Sequence, residues 1–424
     1  ISACLVGSEM CIRDRVTPTV IANSLNYLAS PKTAGPFASR TFGVGQGHAT
    51  GDDAAGTVTL TLTKPWGGAM LGLAMPWAGI ICPKGLADPA TMKQTGEGSG
   101  PYVLTSSTRG SQYTLTARKG YDWGPNGWST SLAGVPQTII QKVILNNTTA
   151  ANDILTGGVN IAPVIGADWA RVHADKSLFT TTNEDVGGTA ITFNETSPGL
   201  PGADPIIRHA LGLAVDPTDF MKAWTFGRGA VLGTTMTPNM PCYAPAPVQA
   251  GNIPEAKRIL AADGWRPGPG GKLMKNGKPL TIRIEGWDQM NAAPEYLLTV
   301  MDQLGVSATL TDGDTTAWET ALFTTRKYDM TAWQYQSTYP GPIILPGQDQ
   351  LLGVKDPQFY AAVDKASELP LAQSCPAWRA AIKLELDHFH ARPLGANITT
   401  WFANGFKLTA ALNYVDPFTL YQTK

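Results

Sequence analysis

Two histidines lie close enough in the sequence to act together. His388 and His390 are separated by one residue, whereas the other three histidines are scattered. The sequence predicts a helix over Ala377–His390, and positions two apart on a helix face different sides. We therefore expect no shared metal ion and interpret the pair as solvated side chains near the negative end of a helix.

Aromatic side chains form the second candidate for chemistry. Trp287, Trp333, Tyr335 and Tyr339 fall in or beside predicted loops, within polar surroundings. Any one of them could pack in a core. Their grouping favours stacking on a ligand or lining of a cleft.

Known catalytic patterns are missing from the sequence. It contains no GxSxG, HExxH or P-loop pattern, and nothing singles out a pair of carboxylates for acid and base work. The glycine-rich segment Gly43–Gly47 precedes the predicted strand Thr57–Thr63 instead of a helix, which favours a plain turn over a nucleotide site. We predict no catalytic residue, no cofactor and no metal ligand.

Charge and hydropathy exclude further classes of partner. Lys and Arg number 32 against 33 Asp and Glu, a net charge of −1 without runs of like charge. Nucleic acid is therefore an unfavourable partner. The longest apolar run, Gly67–Cys82, contains Pro76 and is shorter than the roughly 20 residues that a membrane-spanning helix needs.

The five cysteines are widely spaced, without a CxxC pair, which argues against a zinc knuckle or a thioredoxin-type site. Cys242 and Cys375 could form a disulfide. Two isolated cysteines are more often simply buried, and the sequence favours that interpretation.

The elements that must position these residues alternate between helix and strand, which predicts an α/β fold. Asp204-Pro205 and Asp216-Pro217 each offer a carboxylate cap followed by proline at the first helical position. A Pro-rich segment from Pro238 predicts a crossing between domains. Beyond it we predict a hairpin at Asn276-Gly277 with Thr281–Glu285 as its return strand, and further strands and helices: Val306–Leu310, Thr316–Thr324, Asp329–Trp333 and Pro357–Leu369.

Several motifs, taken in order, resemble one family. They resemble the family 5 extracellular solute-binding proteins, the dipeptide, oligopeptide and nickel-chelate receptors of bacterial ABC transporters. The stretches that carry the resemblance are Gly98–Leu104, Gly120–Gly124, Phe193-Asn194, Ile207–Leu211 with Asp216, Ala256–Trp265, Asn276–Leu280, Leu304-Gly305 and Tyr328–Pro342.

The resemblance implies the two-lobe periplasmic binding protein (Venus-flytrap) fold, type II, with an inserted subdomain in lobe I. It implies the inserted subdomain, in part, at residues 16–97, lobe I at 98–238, lobe II at 239–395 and a return to lobe I at 396–424. Residues 1–15 resemble a translated adapter sequence and are interpreted as non-native. We expect the chain to start inside the inserted subdomain, without its first lobe I strand or its signal segment.

The function implied by the resemblance is capture of a peptide-sized solute between two lobes and delivery to the membrane permease of an ABC transporter. It implies a monomer that is periplasmic or a cell-surface lipoprotein, and that is not an enzyme. An enzyme or sensor on the same scaffold and a peptide chaperone are the alternatives, because function resides in the site. Oligosaccharides, opine-like conjugates and metal chelates are alternative ligands.

The resemblance also points to five ligand-binding residues. Phe37 occupies the place of a tyrosine that reaches the ligand in oligopeptide receptors, and Trp333 and Tyr335 match two aromatics leading into the cleft. Tyr339 follows Thr338, which stands where peptide receptors place an aspartate for the peptide ammonium. That replacement favours a ligand held by hydroxyl, amide and ring contacts, unless Asp288 or Asp314 supplies the carboxylate.

Overall fold

The chain divides into two compact units. A computed structural model describes residues 16–30, 37–43, 47–93, 96–184, 187–334, 340–341, 352–411 and 414–423. The first unit comprises residues 1–65, 69–183 and 399–424, and the second comprises residues 66–68 and 184–398. The predicted boundary at residue 238 falls inside the second unit, and the assignment of residues to lobes stays a prediction.

The first unit is built from short helices and small antiparallel sheets. Its two larger sheets have three strands each. One contains Tyr102–Thr108, Gln112–Ala117 and Thr138–Lys142, in that order. In the other, a strand from the tail of the chain lies between Ile161–Val164 and Phe179–Glu184. The remaining helices and strands are Pro18–Ala29, Phe37–Phe42, Gly47–Asp52, Thr57–Leu62, Ala69–Leu73, Pro83–Ala87, Asn147–Thr156 and Trp169–His173.

The tail of the chain completes the first unit. Its strand Ile398–Ala403 pairs antiparallel with Ile161–Val164, and the buried Phe402 joins the core beneath the helix Asn147–Thr156. The expected contact of the tail with residues 102–232 is therefore confirmed. Short strands follow at Phe406–Lys407, Ala410–Ala411, Tyr414–Val415 and Tyr421–Gln422.

A mixed six-stranded sheet organises the second unit. Its strand order is Ser307–Gly313, Thr281–Trp287, Met330–Gln334, Thr189–Phe193, Ala391–Ala396 and Ala230–Val231. The first three strands are parallel, and Thr189–Phe193 runs antiparallel to both of its neighbours. The carboxyl ends of the three parallel strands therefore meet at one edge, where open α/β sheets bind their ligands.

Local sequence signals set the starts of the helices around this sheet. Asp204 accepts hydrogen bonds from the backbone N–H groups of Ile206 and Ile207, and Asp216 caps the next helix in the same way, as predicted. Across the described ranges, no helix combines the length and apolar character that crossing a bilayer requires. The helices of this unit are Pro205–Ala214, Pro217–Thr225, Ile253–Ala262, Ala293–Leu304, Thr315–Thr320, Pro357–Ser367 and Leu371–Asp387.

The Asn276-Gly277 turn forms as predicted, but the prediction of Thr281–Glu285 as its return strand is wrong. Both turn residues have positive φ, and Leu273–Lys275 pairs with Lys278–Pro279 across them. Thr281–Trp287 instead joins the six-stranded sheet in parallel pairing. The chain leaves the hairpin at Pro279, which has no N–H group for further ladder bonds.

The interpretation of Cys242 and Cys375 as simply buried thiols is wrong. They form a disulfide that links the Pro-rich segment to the helix Leu371–Asp387. That helix begins six residues earlier than predicted because it accommodates Pro376. A proline near the start of a helix removes only one backbone hydrogen bond there.

Candidate ligand-binding face and histidine cluster of the second unit

Four aromatic side chains line one face of the sheet at the edge where the parallel strands end. Trp287 stacks on Trp318 with ring centroids 5.5 Å apart, Trp318 meets Phe323 at 6.4 Å, and Phe323 meets Trp333 at 5.9 Å. We call these four residues the aromatic face. Ring contacts of this kind suit stacking on a flat ligand group.

Side-chain alternation and two indole hydrogen bonds position the aromatic face. Trp287 ends its strand, and its Nε1 donates to Thr315 Oγ1 at 3.0 Å. Trp318 donates from Nε1 to Thr331 Oγ1 at 3.0 Å. Thr331 and Trp333 are two residues apart on one strand and so share a face of the sheet.

Glu285 lies on the same face as Trp287, two residues before it on the strand. Its side chain is 7% exposed, and within the described residues no side chain donates a hydrogen bond to its carboxyl group. Burial, followed by the nearby negative charge of Asp312, raises the pKa of Glu285 to about 7. A carboxyl group in this state can donate or accept a hydrogen bond near neutral pH.

Gly286 allows Asp312 to lie close to the strand. A Cβ atom at this position would come 2.6 Å from Asp312 Oδ1 and 2.9 Å from Pro294 Cβ. Burial, with the charges of Glu295 and Asp288, raises the pKa of Asp312 as well. Because Gly286 and Asp312 are paired in register, Asp312 lies on the side of the sheet opposite Trp287, and Glu285 is the buried carboxyl group of the aromatic face.

Of the five predicted site residues, only the geometry of Trp333 is described. Trp333 is 6% exposed and packs edge-on against Phe323. Tyr335, Thr338 and Tyr339 lie outside the described residues. Phe37 begins the helix Phe37–Phe42, and its side chain is outside the described part of the chain.

A second group of polar side chains surrounds the two histidines. His390 Nδ1 lies 2.8 Å from Glu195 Oε1, and His390 Nε2 lies 3.1 Å from Asp356 Oδ2. His388 Nδ1 contacts the same Asp356 oxygen, and Arg208 pairs with Glu195 at 2.9 Å. We call these five residues the histidine cluster.

The prediction that His388 and His390 face different sides is wrong. The helix ends at Asp387, His388 is its C-cap, and Phe389 has a φ of 59°. This left-handed residue turns the chain, so both rings approach Asp356. His390 is 4% exposed, and one ligand atom from each of the three residues lies within 4.8 Å of the other two.

The electrostatics of the cluster follow from these contacts. Partial burial raises the pKa of Asp356, but the Phe359 N–H group and hydrogen bonds from both histidines outweigh it and lower the pKa to about 2. Burial lowers the pKa of His390, whereas the hydrogen bond and charge of Glu195 and the hydrogen bond to Asp356 raise it, with a net increase. The cluster borders an open cavity of about 600 Å³.

Sequence reasoning found Trp287 and Trp333 but missed Trp318, Phe323 and Glu285. Glu285 occupies a polar position of the alternating strand Thr281–Trp287, so the sequence pattern does not indicate its burial. The histidine cluster joins residues up to 195 positions apart, such as Glu195 and His390. Local sequence patterns do not predict a contact between residues so far apart in the chain.

Comparison with solved structures identifies the class of protein. A substrate-binding protein from Microbacterium hydrocarbonoxydans, complexed with 4-hydroxybenzoate hydrazide, matches with a TM-score of 0.80 and 27% identity over 96% of this chain and 85% of its own. The oligopeptide-binding protein AppA from Bacillus subtilis, in complex with a nonapeptide, matches with a TM-score of 0.77 and 18% identity over 96% of this chain and 83% of its own. The predicted α/β two-lobe periplasmic binding protein fold is confirmed.

The family follows from the sequence match. Residues 14–346 match the family described as "Bacterial extracellular solute-binding proteins, family 5 Middle", and the chain belongs to this family. Protein XP55 from Streptomyces lividans is 27% identical over 236 residues, which are 54% of this chain and 41% of XP55. The match therefore spans less than half the length of that relative.

Proposed function

We propose that this chain captures a small solute outside the cytoplasm and delivers it to the membrane permease of an ABC transporter. Its membership of the solute-binding family over residues 14–346 is the observation that carries this proposal. In this role the protein is a monomeric receptor without catalytic activity or a required cofactor. It acts in the periplasm or as a cell-surface lipoprotein.

We assign the ligand to the aromatic face together with the predicted residues. Trp333, Tyr335, Thr338, Tyr339 and Phe37 are the proposed contacts, and Trp287 and Trp318 extend the stacking surface. The carboxyl ends of parallel strands are the usual binding edge of such sheets. A ligand bound here stabilises whichever conformation it contacts best.

The ligand class that fits best is a neutral solute with a ring and an amide or hydroxyl group. Thr338 supplies no charge for a peptide ammonium, and Glu285, with its pKa raised to about 7, can exchange hydrogen bonds with neutral groups. The relative that binds 4-hydroxybenzoate hydrazide supports an aromatic amide-like ligand. Blocked peptides, oligosaccharides and opine-like conjugates share the required groups.

An unmodified peptide is the competing ligand. Asp314 caps a helix by accepting from the Ala317 N–H group at 2.9 Å, which leaves its second oxygen for other partners. Asp288 lies near Asp312 at the same edge. Either residue could receive a peptide ammonium, and the experiment must therefore include free peptides.

Thermal shift on ligand-stripped protein tests the ligand class. A ligand at a hundredfold excess over Kd adds about 2.7 kcal/mol of stability, which corresponds to a shift of roughly 5 to 10 °C for units of this size. We expect this shift with aryl hydrazides or blocked peptides and not with free di- to pentapeptides. A shift with free peptides alone would overturn the ligand class, and no shift with any solute class would overturn the receptor function.

Matched tryptophan variants test the site. Trp287→Phe and Trp333→Phe keep an aromatic ring but reduce the stacking area, and we expect binding to weaken about threefold to tenfold. Trp265→Phe, at a partly exposed position beside Lys275, is the control and should bind as the original protein does. Equal affinities for all three variants would reject the aromatic face as the ligand site.

A further inference from the structure

The histidine cluster contains an imidazole ring with a carboxylate oxygen at each nitrogen. His390 Nδ1 lies 2.8 Å from Glu195 Oε1, and its Nε2 lies 3.1 Å from Asp356 Oδ2. A neutral imidazole carries one N–H group, so it can donate to only one of these carboxylates. The contact at the other nitrogen needs a positive charge, which either a second ring proton or a metal ion between the nitrogen and the carboxylate oxygen can supply.

His388 is a second histidine whose ring nitrogen contacts Asp356. Its Nδ1 atom contacts the same Asp356 Oδ2 atom that His390 approaches. Two imidazole nitrogens and one carboxylate oxygen therefore converge on one point, with all three atoms within 4.8 Å of one another. Two histidines and a carboxylate are a common donor set for zinc and related divalent ions.

The spacing of the donors suits a metal ion. Zinc lies about 2.0 to 2.2 Å from histidine nitrogen and carboxylate oxygen, so two donors at a near-tetrahedral angle are roughly 3.3 Å apart. His390 Nε2 and Asp356 Oδ2 are separated by 3.1 Å. His388 Nδ1 contacts the same oxygen, and its side chain is 34% exposed, so this ring is the donor that can adjust when an ion binds.

The surroundings fix the donor atoms in the way that metal sites require. Glu195 accepts from His390 Nδ1 and so leaves Nε2 as the ligating nitrogen, and Arg208 holds Glu195 at 2.9 Å. Asp356 Oδ1 accepts from the Phe359 N–H group at 2.9 Å, which leaves Oδ2 for the ion. The adjoining open cavity gives an ion a route in and leaves coordination positions for water.

We propose that Asp356, His388 and His390 bind a divalent transition-metal ion of the zinc class, with Glu195 and Arg208 as positioning residues. The ion would join the N-terminus of the helix Pro357–Ser367 to the chain that leaves the helix Leu371–Asp387. The site lies on other elements than the aromatic face and does not depend on the identity of the transported solute. Its function is to hold this part of the second unit together.

Metal titration of the full chain tests the proposal. After dialysis against EDTA and removal of the chelator, we expect one equivalent of Zn²⁺ to bind by calorimetry. Co²⁺ should bind with a visible absorption band characteristic of nitrogen ligation. His388→Ala and His390→Ala should each weaken Zn²⁺ binding at least a hundredfold, and Glu195→Gln should weaken it tenfold to a hundredfold.

Two further variants separate metal binding from folding. Asp356→Asn keeps an oxygen to cap the helix but loses the charge, so it should fold and bind Zn²⁺ at least tenfold more weakly. His48→Ala changes an exposed histidine on a strand of the first unit and should leave binding unchanged. The proposal is overturned if Zn²⁺ does not bind at one equivalent, or if folded His388 and His390 variants bind it as tightly as the original chain.

Discussion

Two buried glutamates in the second unit show opposite solutions to one electrostatic problem. Glu195 and Glu285 are 8% and 7% exposed, and a buried carboxylate is costly unless it is paired. Glu195 pairs with Arg208 at 2.9 Å and His390 at 2.8 Å. The pKa of Glu285 is raised by burial and by the charge of a second carboxylate, Asp312, and Glu285 has no ion-pair partner within the described residues.

The difference distinguishes a region in which the buried charges are paired from the proposed ligand site, in which one buried carboxyl group is not. In the histidine cluster, the buried carboxyl groups of Glu195 and Asp356 each have at least two side-chain partners. On the aromatic face, the protein retains the energetic cost of an unpaired carboxyl group. A ligand that donates a hydrogen bond there would offset part of this cost, which is how a binding site can be less than optimal for stability.

The largest expected effect comes from breaking the paired region. Arg208→Met removes the cation beside Glu195 and should lower the free energy of unfolding by about 3 to 5 kcal/mol. Urea denaturation followed by tryptophan fluorescence would measure it. The control is Arg258→Met, which breaks an exposed helical pair with Glu255 and should change the urea midpoint little. Similar urea midpoints for both variants would show that the buried pair of Arg208 and Glu195 stabilises the protein no more than the exposed pair does.

The next largest effect concerns the disulfide on the helix that precedes His388. Cys242 and Cys375 are 133 residues apart in the sequence, so their bond restricts a large part of the unfolded chain. The double variant Cys242→Ala, Cys375→Ala should unfold at lower urea, with a loss of about 2 to 4 kcal/mol. The original protein under reducing conditions should unfold at a urea concentration no higher than that of the variant, because reduction also breaks the disulfide of Cys82. Identical midpoints in oxidised and reduced samples would contradict this expectation.

A smaller effect is expected where the strand approaches Asp312. Gly286→Ala would place a methyl group 2.6 Å from Asp312 Oδ1, and we expect a loss of about 1 to 3 kcal/mol from overpacking. Gly199→Ala is the control, because a Cβ atom there meets nothing within 4 Å. Thermal melting of the two variants provides the comparison. A neutral Gly286→Ala variant would show that Asp312 moves freely.

The sequence predicts the elements with local signals and misses what depends on tertiary packing. Asp-Pro pairs mark helix starts because the cap and the first turn are contiguous in the chain, as at Asp204 and Asp216. Trp287 and Trp333 could be selected as aromatics beside predicted loops. The helix that carries Trp318 was predicted, but the direction of that side chain depends on its packing against the strand of Thr331.

The histidine cluster could not be predicted for a different reason. A helix that continued to His390 would hold the two rings on different sides, and the observed end at Asp387 reverses this conclusion. The end of the helix depends on Phe389, which adopts a left-handed conformation and stacks on His209 at 3.8 Å. That contact joins the residue just beyond one helix to another helix distant in sequence, and helical periodicity contains no information about it.

The smallest effect, and the most direct test of the contrast, is the pH dependence of Glu285. A carboxyl group whose pKa is raised from its usual value near 4.5 to about 7 keeps its proton up to a higher pH in the folded state than in the unfolded state. The folded protein therefore loses stability as pH rises from about 4.5 to 7. Glu285→Gln lacks this titration, so its stability relative to the original should increase over that range, by on the order of 1 kcal/mol.

Thermal melting of ligand-stripped protein at pH 5, 6, 7 and 8 would measure the difference, with the exposed Glu319→Gln as control. A difference that stays constant with pH, or that favours the variant most at pH 5, would mean that Glu285 is compensated after all, and the contrast with Glu195 would fail.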